Sequence, residues 1–169
     1  VGASGIAKLA GLEKIISFDM GGTSTDVSLC NGDVRLTTQT LINEMPIKIP
    51  VVDMMTVGAG GGSLAYIDPG GALRVGPQSA GADPGPVCYG KGKEITVTDA
   101  NLFLGRINAQ FFLGGRMILE TDMVSRYIGL LAKKLKMTSV RVAEGIIDVA
   151  NANMASAIKV ISVEKGFDV

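Results

Sequence analysis

The segment best suited to chemistry is a short run of glycine and hydroxyl residues, DMGGTSTD, at positions 19–26. Its two glycines allow backbone N–H groups to converge on a ligand, because no Cβ obstructs the approach. The three hydroxyl side chains that follow add hydrogen-bond donors, and such a cluster forms a nest for the oxygens of an anion such as phosphate. The residues of this predicted anion site are Gly21, Gly22, Thr23, Ser24 and Thr25.

Two carboxylates flank the run. Asp19 ends an apolar stretch typical of a buried strand, and Asp26 begins the next extended stretch. Mg²⁺ prefers carboxylate and phosphate oxygens together with several waters, so Asp19 and Asp26 are candidate metal ligands, and Asp19 is also a candidate catalytic residue. The alternative is a plain hairpin, in which Gly-Gly forms the turn and the Thr and Ser residues are ordinary strand formers. Spacing alone leaves both interpretations open.

A second candidate segment is the glycine-rich stretch 58–92, which holds 11 of the 23 glycines and four of the six prolines and therefore predicts a structured loop region. Gly60 and Gly61 predict a place where the backbone approaches a ligand or another chain closely. The alternative there is a set of tight turns in a small β-subdomain. Asp83 is a candidate catalytic or metal-binding carboxylate, and its alternative is a turn-forming Asp before Pro84.

The composition argues against several classes of chemistry and partner. The 169 residues contain no histidine, so a Ser-His-Asp triad or a histidine-ligated metal would need an imidazole from a partner chain. Lysine plus arginine (16) balance aspartate plus glutamate (16), which argues against nucleic acid as a partner. The uncharged runs are interrupted by Gly, Pro and Ser, which predicts no membrane partner. Cys30 and Cys88, without CxxC spacing, indicate free thiols in a cytoplasmic protein.

The first part of the chain predicts strands. Residues 14–40 have the pattern of an antiparallel meander of three strands, with a hairpin turn at Asn31-Gly32. Residues 46–57 carry two prolines and predict an edge strand followed by a core segment. The candidate anion site therefore lies at the turn between the first two strands.

The last third of the chain predicts helices. Apolar residues at helical spacing predict a helix capped by Thr121 and a longer helix from Ser139, with Gly166 as its C-cap. Strands, glycine-rich loops and then helices together predict the α/β class.

Several segments, in order along the chain, resemble successive blocks of the hydantoinase A / oxoprolinase family. The most distinctive are FDMGGTSTDVS at 18–28, VGAGGGSLAYID at 57–68, LRVGPQSAGADPGPVCYGKG at 73–92 and ANANMASAIKVISVEKGFDV at 150–169. The resemblance implies an α/β lobe of the actin-like ATPase (ribonuclease H-like) type, with a mixed sheet, a glycine-rich insertion at 58–92 and C-terminal helices. It also implies that residues 1–169 are a single fragment of a larger chain, part of lobe II of the hydantoinase A domain.

The resemblance further implies a nucleotide site shared with a second lobe. In that superfamily ATP lies between two lobes, and each contributes a D-x-G-G-T-type hairpin to the phosphates. By resemblance, the hairpin from Asp19 to Thr25 contacts phosphates or their Mg²⁺. The blocks at 58–63 and 80–90 are also shared by the family, and Gly60 and Gly61 of the first are further candidate cofactor-binding residues. The expected cofactors are ATP and Mg²⁺, and the expected partners are the missing lobe of the same chain and a second, B-type subunit.

The function that the resemblance implies is an ATP-dependent hydrolase acting on small cyclic amides, of the hydantoinase or 5-oxoprolinase type. Phosphorylating the oxygen of a lactam or imide makes it a good leaving group, and positioning with charge neutralisation suffices for this without histidine. The alternatives are a subunit of an ATP-dependent ketone carboxylase of the acetone carboxylase type, and a non-catalytic scaffold lobe. We expect the fragment alone to be inactive.

Overall fold

The computed structural model describes residues 1–38, 40–42 and 45–168. The chain divides into two units. The first contains Val1–Asp19, Asp26–Thr56 and Ala155–Val169, and the second contains Met20–Thr25 and Val57–Met154.

Helices and strands alternate in blocks along the described chain. The helices are α1 (Gly2–Leu9), α2 (Val97–Phe103), α3 (Thr121–Leu135) and α4 (Ser139–Ile161). The strands are β1 (Lys14–Met20), β2 (Thr25–Asn31), β3 (Asp33–Val34), β4 (Leu36–Thr37), β5 (Thr40–Ile42), β6 (Met45–Ile47), β7 (Val51–Val52), β8 (Met54–Val57), β9 (Ser63–Ile67) and β10 (Leu73–Ser79). This combination of sheets and helices agrees with the predicted α/β class.

A four-stranded sheet lies at the centre of the first unit. Strand β2 pairs with β1, β3 and β8, and its register with β3 places Cys30 opposite Val34. Thr25, Val27 and Leu29 of β2 are buried, whereas Asp26 and Ser28, which alternate with them, are only partly buried. This alternation is typical of a strand that turns one face toward a core. Two smaller antiparallel pairs, β4 with β7 and β5 with β6, complete the sheets of this unit.

The predicted meander over residues 14–40 is confirmed for its first two strands and its turn. The turn lies at Gly32, whose φ of +78° is a conformation that glycine adopts readily. The predicted third strand is wrong in its extent, because β3 ends at Val34 and the chain pairs next with β7. Its predicted end includes Gln39, which lies outside the described residues. The segment 46–57, predicted as an edge strand followed by a core segment, contributes to three short strands, β6, β7 and β8.

The second unit contains a large apolar core. The antiparallel hairpin of β9 and β10 contributes to it together with α2, α3 and the first part of α4. The largest fully buried apolar side chains of this unit are Val87, Val124, Ile128, Val142 and Ile146.

The glycine-rich stretch 58–92 is more regular than predicted, because it contains β9 and β10. Asp68 closes the turn between these strands: its Oδ1 accepts hydrogen bonds from the Gly70 and Ala72 N–H groups at 3.0 and 2.9 Å. Buried positions of the hairpin carry small residues such as Ala65. Small residues give little hydrophobic alternation, so the hairpin was not visible in the sequence pattern.

Both predicted C-terminal helices are confirmed as α3 and α4. The prediction that Thr121 caps α3 is wrong by one residue, because Glu120 holds the N-cap position and makes no side-chain cap bond. Gly166, with φ +81°, caps a 3-10 turn that follows α4. Of the described residues, only α4 with its extension is long and apolar enough to cross a membrane. Val142 and Ile146 nevertheless lie in the core of the second unit, which is the position of a core helix.

Candidate functional site

The predicted anion-binding run forms an exposed hairpin tip between β1 and β2. The Gly21 N–H donates to the Ser24 carbonyl at 2.8 Å and closes the tip, and Gly22 and Thr23 at its end are exposed. Within the described chain, no protein group accepts a hydrogen bond from the N–H of Gly22, Thr23 or Ser24. Three consecutive amides are therefore available to an external acceptor.

A run of three glycines, Gly60–Gly62, packs directly against this tip. The Gly61 and Gly62 N–H groups donate to the Gly21 and Gly22 carbonyls at 3.0 and 2.6 Å. A Cβ on Gly60 would lie 2.7 Å from the Gly21 carbonyl oxygen, and a Cβ on Gly62 would lie 2.9 Å from that of Gly22. No side chain fits at such distances, so glycine is required where the two backbone segments meet. The predicted close approach is thus made to another segment of the same chain, and contact of Gly60 or Gly61 with a ligand stays a prediction.

A cleft of about 300 Å³ adjoins the hairpin tip. Its lining comes from the tip, the glycine run, the loop after β10, a 3-10 turn and α2. The lining residues are Gly22, Thr23, Gly61, Gly62, Gly81, Ala82, Pro86, Tyr89 and Thr98. Three segments that the sequence singled out, 18–28, 57–68 and 73–92, therefore meet at one cavity. Their spacing along the chain could not predict this convergence.

Two of the predicted hydroxyl donors have partners inside the second unit. Thr25 is fully buried, and its hydroxyl donates to the Ala59 carbonyl at 2.5 Å. We therefore correct its role: this hydroxyl supports the base of the hairpin and is not presented to a ligand. The Thr23 hydroxyl donates to Ser79 Oγ at 3.4 Å, and that oxygen also accepts the Gly81 N–H at 3.1 Å. A contact as long as that of Thr23 is weak, so this hydroxyl can turn to a stronger acceptor.

The three predicted carboxylates lie in different settings. Asp19 is exposed near the end of β1. Asp26 is half-buried on β2 and accepts the Thr56 hydroxyl at 2.7 Å. Asp83 is exposed and pairs with Lys91 at 3.3 Å, and it is not among the residues that line the cleft. In the part of the chain that the structure describes, no group of three His, Cys, Asp or Glu residues is placed to hold a metal ion by itself.

Sequence reasoning missed Asp99, a fully buried carboxylate in the first turn of α2. It accepts hydrogen bonds from the N–H groups of Val87, Cys88 and Thr96 and from the Thr96 hydroxyl, at 3.1, 2.8, 2.9 and 2.8 Å. Thr96 and Asp99 also form a capping box at the start of α2. That cap was visible as T-x-x-D in the sequence. The contacts with Val87 and Cys88 arise only in the folded chain.

Burial changes the ionisation of two side chains beside this carboxylate. It raises the pKa of the Cys88 thiol far above its usual range, and the charge of Asp99 raises it further. The fully buried thiol therefore stays protonated and is unsuited to act as a nucleophile. Burial also raises the pKa of Tyr89, whose ring lines the cleft and packs against Phe112 with 5.8 Å between ring centroids. The cleft consequently has a neutral aromatic group in its wall.

The residues that form this site belong to segments shared across a known family. The family model for hydantoinase/oxoprolinase matches residues 1–169. The chain therefore belongs to the hydantoinase/oxoprolinase family, which confirms the resemblance found in the sequence.

Two characterised relatives show the range of proteins that share this segment. The chain is 43% identical over 166 residues to caprolactamase subunit alpha of Pseudomonas jessenii, which covers 96% of this chain and 24% of that subunit. It is 41% identical over 171 residues to 5-oxoprolinase of Dictyostelium discoideum, which covers 92% of this chain and 13% of that protein. The chain thus spans a quarter or less of the length of these relatives.

Solved structures share the fold over nearly the whole chain. The nucleotide-free structure of acetone carboxylase, from work on ATP-dependent acetone carboxylation, matches with a TM-score of 0.90 and 29% identity, covering 98% of this chain and 24% of that chain. The crystal structure of ATP-dependent caprolactamase from Pseudomonas jessenii matches with a TM-score of 0.88 and 41% identity, covering 98% of this chain and 25% of that chain. The sheets and helices described above are therefore the fold of the matching part of both proteins.

Proposed function

We propose that this chain is the nucleotide-phosphate-binding lobe of an ATP-dependent enzyme that hydrolyses small cyclic amides, with the tip Gly21–Ser24 as its phosphate-binding element. The observation that carries the proposal is the set of unengaged amides of Gly22, Thr23 and Ser24, of which the first two residues line the 300 Å³ cleft. Relatives named caprolactamase and 5-oxoprolinase support an amide substrate. We also infer that the complete lobe has the actin-like ATPase architecture, which rests on the sequence resemblance.

The residues of the tip suit the phosphates of ATP. A Cβ at Gly22 would meet no atom within 4 Å, so no protein group crowds this residue on its Cα side. Hydrogen bonds from N–H groups to an anionic oxygen are stronger than those between neutral groups, and amides fixed in a hairpin need no reorganisation to make them. When bound, ATP would supply the phosphoryl group that turns an amide oxygen into a leaving group. The part played by the tip is to hold the phosphates in place and to stabilise their charge.

Mg²⁺ fits the same proposal through Asp19, with Asp26 in support. The described residues offer no self-contained metal cage, and Mg²⁺ bound with a nucleotide usually takes one or two carboxylates, with phosphate and water completing its shell. Asp19 is exposed, and one oxygen of Asp26 already accepts the Thr56 hydroxyl. Asp83, paired with Lys91, stays a proposed catalytic carboxylate of the complete enzyme. We propose a cytoplasmic enzyme whose site is completed by the rest of its chain and a B-type subunit, and the name "subunit alpha" of one relative supports the latter.

The test of the phosphate role is Gly22→Val in the full-length protein. A side chain at the tip would separate phosphate from the amides, and each lost charge-assisted hydrogen bond weakens binding by about 1.5–3 kcal/mol, so we expect the KM for ATP to rise about tenfold or more. The Tm should stay close to that of the native protein, because the new side chain starts in open space.

Gly129→Ala on α3 is the matched control, since a Cβ there also meets no atom within 4 Å. It should leave the KM for ATP unchanged and raise the helix propensity of α3. A native KM for ATP in a folded Gly22→Val protein would reject the tip as a phosphate site.

The TM-score of 0.90 to acetone carboxylase supports a second candidate, a subunit of an ATP-dependent ketone carboxylase. The full-length protein should be assayed for ATP consumption with a lactam or hydantoin, and separately with a ketone and bicarbonate. Consumption that depends on the cyclic amide supports the hydrolase. Consumption that requires ketone and bicarbonate supports the carboxylase, and ATP binding without consumption in either assay supports a scaffold lobe.

A further inference from the structure

We propose that Asp99 is a positioning residue that fixes the cleft wall formed by Pro86 and Tyr89 and thereby sets the affinity of the cleft for nucleotide. The role rests on the proposed function, because it assigns a ligand to the cleft. Asp99 itself is fully buried and does not line the cleft, so it would act only through the groups that it holds.

Both oxygens of the Asp99 carboxylate are engaged. Oδ1 accepts the Cys88 N–H at 2.8 Å, whereas Oδ2 accepts the Val87 N–H at 3.1 Å and both donors of Thr96. The bonds with Thr96 are those of an ordinary capping box. The bonds with Val87 and Cys88 reach 12 and 11 residues back along the chain and take no part in the cap of α2. They attach a separate loop to α2.

The attached loop is the wall of the cleft. Val87 and Cys88 are the first two residues of the 3-10 turn Val87–Tyr89. The residue before this pair, Pro86, and the residue after it, Tyr89, both line the cleft. Fixing the two amides at the centre of this segment therefore fixes the two cleft-lining side chains on either side of it.

The helix that carries Asp99 also contacts a second part of the cleft lining, through Thr98 and Gly61. Thr98, the neighbour of Asp99 on α2, lines the cleft and donates both its N–H and its hydroxyl to the Gly61 carbonyl, at 2.8 and 2.9 Å. Gly61 in turn donates to the Gly21 carbonyl of the hairpin tip. The loop wall and the phosphate-binding tip are thus held to one helix start, so movement of the loop away from α2 widens the cleft.

A carboxylate is needed because it offers two acceptor oxygens. Asn at position 99 offers one acceptor oxygen and an NH₂ group. If the Asn oxygen takes the Oδ2 position, it keeps the bonds with Thr96 and Val87. The Asn NH₂ group then faces the Cys88 N–H, so that two donors oppose each other and no hydrogen bond forms there. The substitution Asp99→Asn therefore releases the loop at Cys88 while it preserves the helix cap.

The experiment uses the full-length protein with Asp99→Asn and two readouts. The first is alkylation of Cys88 by iodoacetamide, measured by peptide mass spectrometry. We expect alkylation to be about tenfold faster than in the native protein, because the buried thiol opens to solvent more often and because loss of the Asp99 charge favours the thiolate. Mg-ATP should slow it again by holding the loop closed, and a variant that keeps the charge, Val87→Pro, isolates the effect of opening. The second is steady-state kinetics, in which we expect the KM for ATP to rise about fivefold while kcat changes less than about twofold.

Asp68→Asn is the matched control. Asp68 also orders a loop of the second unit by accepting the N–H groups of Gly70 and Ala72, but it does not line the cleft. The control should leave the KM for ATP within about twofold of the native value and should leave Cys88 protected. An equal rise in KM in the control would show a general loss of structure and would overturn the proposal.

A second variant covers the case in which Asp99→Asn does not fold. Val87→Pro removes one N–H donor to Asp99 and leaves the carboxylate its other partners. Pro86 has ψ 153°, which is extended and allowed before proline, and the first position of a helical turn accepts proline well. We expect faster alkylation of Cys88 and a rise of about twofold or more in the KM for ATP.

The outcomes separate this inference from the proposed function. Unchanged alkylation of Cys88 and an unchanged KM in the folded variants would overturn the positioning role and leave the phosphate site standing. If the native full-length protein binds no ATP, the proposed function fails and the nucleotide role of Asp99 fails with it. Faster alkylation of Cys88 in Val87→Pro, which keeps the charge of Asp99, would then still show that the bonds to Asp99 hold the loop.

Discussion

At Gly60 a Cβ would lie 2.7 and 2.8 Å from the carbonyl oxygens of Gly21 and Gly22, whereas at Gly22 it would meet no atom within 4 Å. The two glycines therefore lack a side chain for different reasons. Gly60 makes room for another backbone segment, and we propose that Gly22 makes room for a ligand. Substitution at the two positions should accordingly affect different properties of the protein.

Gly60→Ala should lower the free energy of unfolding by about 1–3 kcal/mol, because the added methyl group overlaps rigid backbone atoms. Gly22→Ala should change it by no more than about 0.5 kcal/mol. Urea denaturation of both variants measures the difference. Equal stability of the Gly60→Ala and Gly22→Ala proteins would contradict the observed packing of the glycine run.

The sequence predicted which residues form the exposed hairpin tip, but it did not predict the role of each side chain. Gly22 and Thr23 lie exposed beside a cleft, as a binding role requires. The Thr25 hydroxyl instead bonds to Ala59, which is 34 residues away in the chain and could not be foreseen from local pattern. Asp99 was missed for a related reason. A T-x-x-D cap is a local signal, but the attachment of a distant loop to its carboxylate depends on tertiary packing.

Among the elements, the hairpin of β9 and β10 depends most clearly on a single charged side chain. The hydrogen bond from Arg74, followed by that from the Ala72 N–H, holds the pKa of Asp68 below its usual value. A carboxylate with a lowered pKa in the folded state binds protons more weakly there than in the unfolded chain. Its contribution to stability is therefore complete above the unfolded pKa, about 3.9, and is lost as the pH falls through the folded pKa.

We expect Asp68→Asn to be less stable than the native protein at pH 7 and the difference to shrink as the pH falls below about 4. Urea denaturation of both proteins at pH values from neutral to acidic measures it. The substitution keeps the size of the side chain, so packing is held constant. A difference that is independent of pH would show that the charge of Asp68 does not stabilise the hairpin.

Long helices were easier to predict than short strands. The apolar stripe that includes Val142 and Ile146 repeats over the 23 residues of α4. A single polar residue at an expected apolar position therefore does not hide the helical period. The hairpin of β9 and β10 has five- and seven-residue strands with small buried side chains, and its glycines indicated loops. The short pair of β4 and β7 was missed because two-residue strands carry no detectable period.

At the scale of the whole molecule, the chain has two units, and the proposed tip and cleft belong to the second. It spans 24% of caprolactamase subunit alpha from Pseudomonas jessenii and 13% of 5-oxoprolinase from Dictyostelium discoideum. Because this chain spans so little of either relative, we propose that the complete site includes residues from a longer chain.

Residues 1–169 expressed alone should show no ATP hydrolysis and should bind Mg-ATP at least about 100-fold more weakly than the full-length protein. The expectation follows from the proposed shared site, in which contacts from a second lobe would supply part of the binding free energy, and 100-fold corresponds to about 2.7 kcal/mol. Isothermal titration calorimetry on both proteins measures the ratio. Turnover of ATP by residues 1–169 alone would contradict the proposal of a shared site.

The tip of the hairpin cannot move toward the glycine run, because the Gly21 and Gly22 carbonyls already accept hydrogen bonds from the Gly61 and Gly62 amides. In the proposed role, a bound anion would meet a support that cannot move, so selectivity among anions of different size would depend on the side chains beside the tip. Thr23 and Ser79 are two such side chains, because their hydroxyl oxygens lie 3.4 Å apart at the tip. Substitutions of Thr23 and Ser79 should therefore change which oxyanion binds, while the backbone of the hairpin tip keeps its structure.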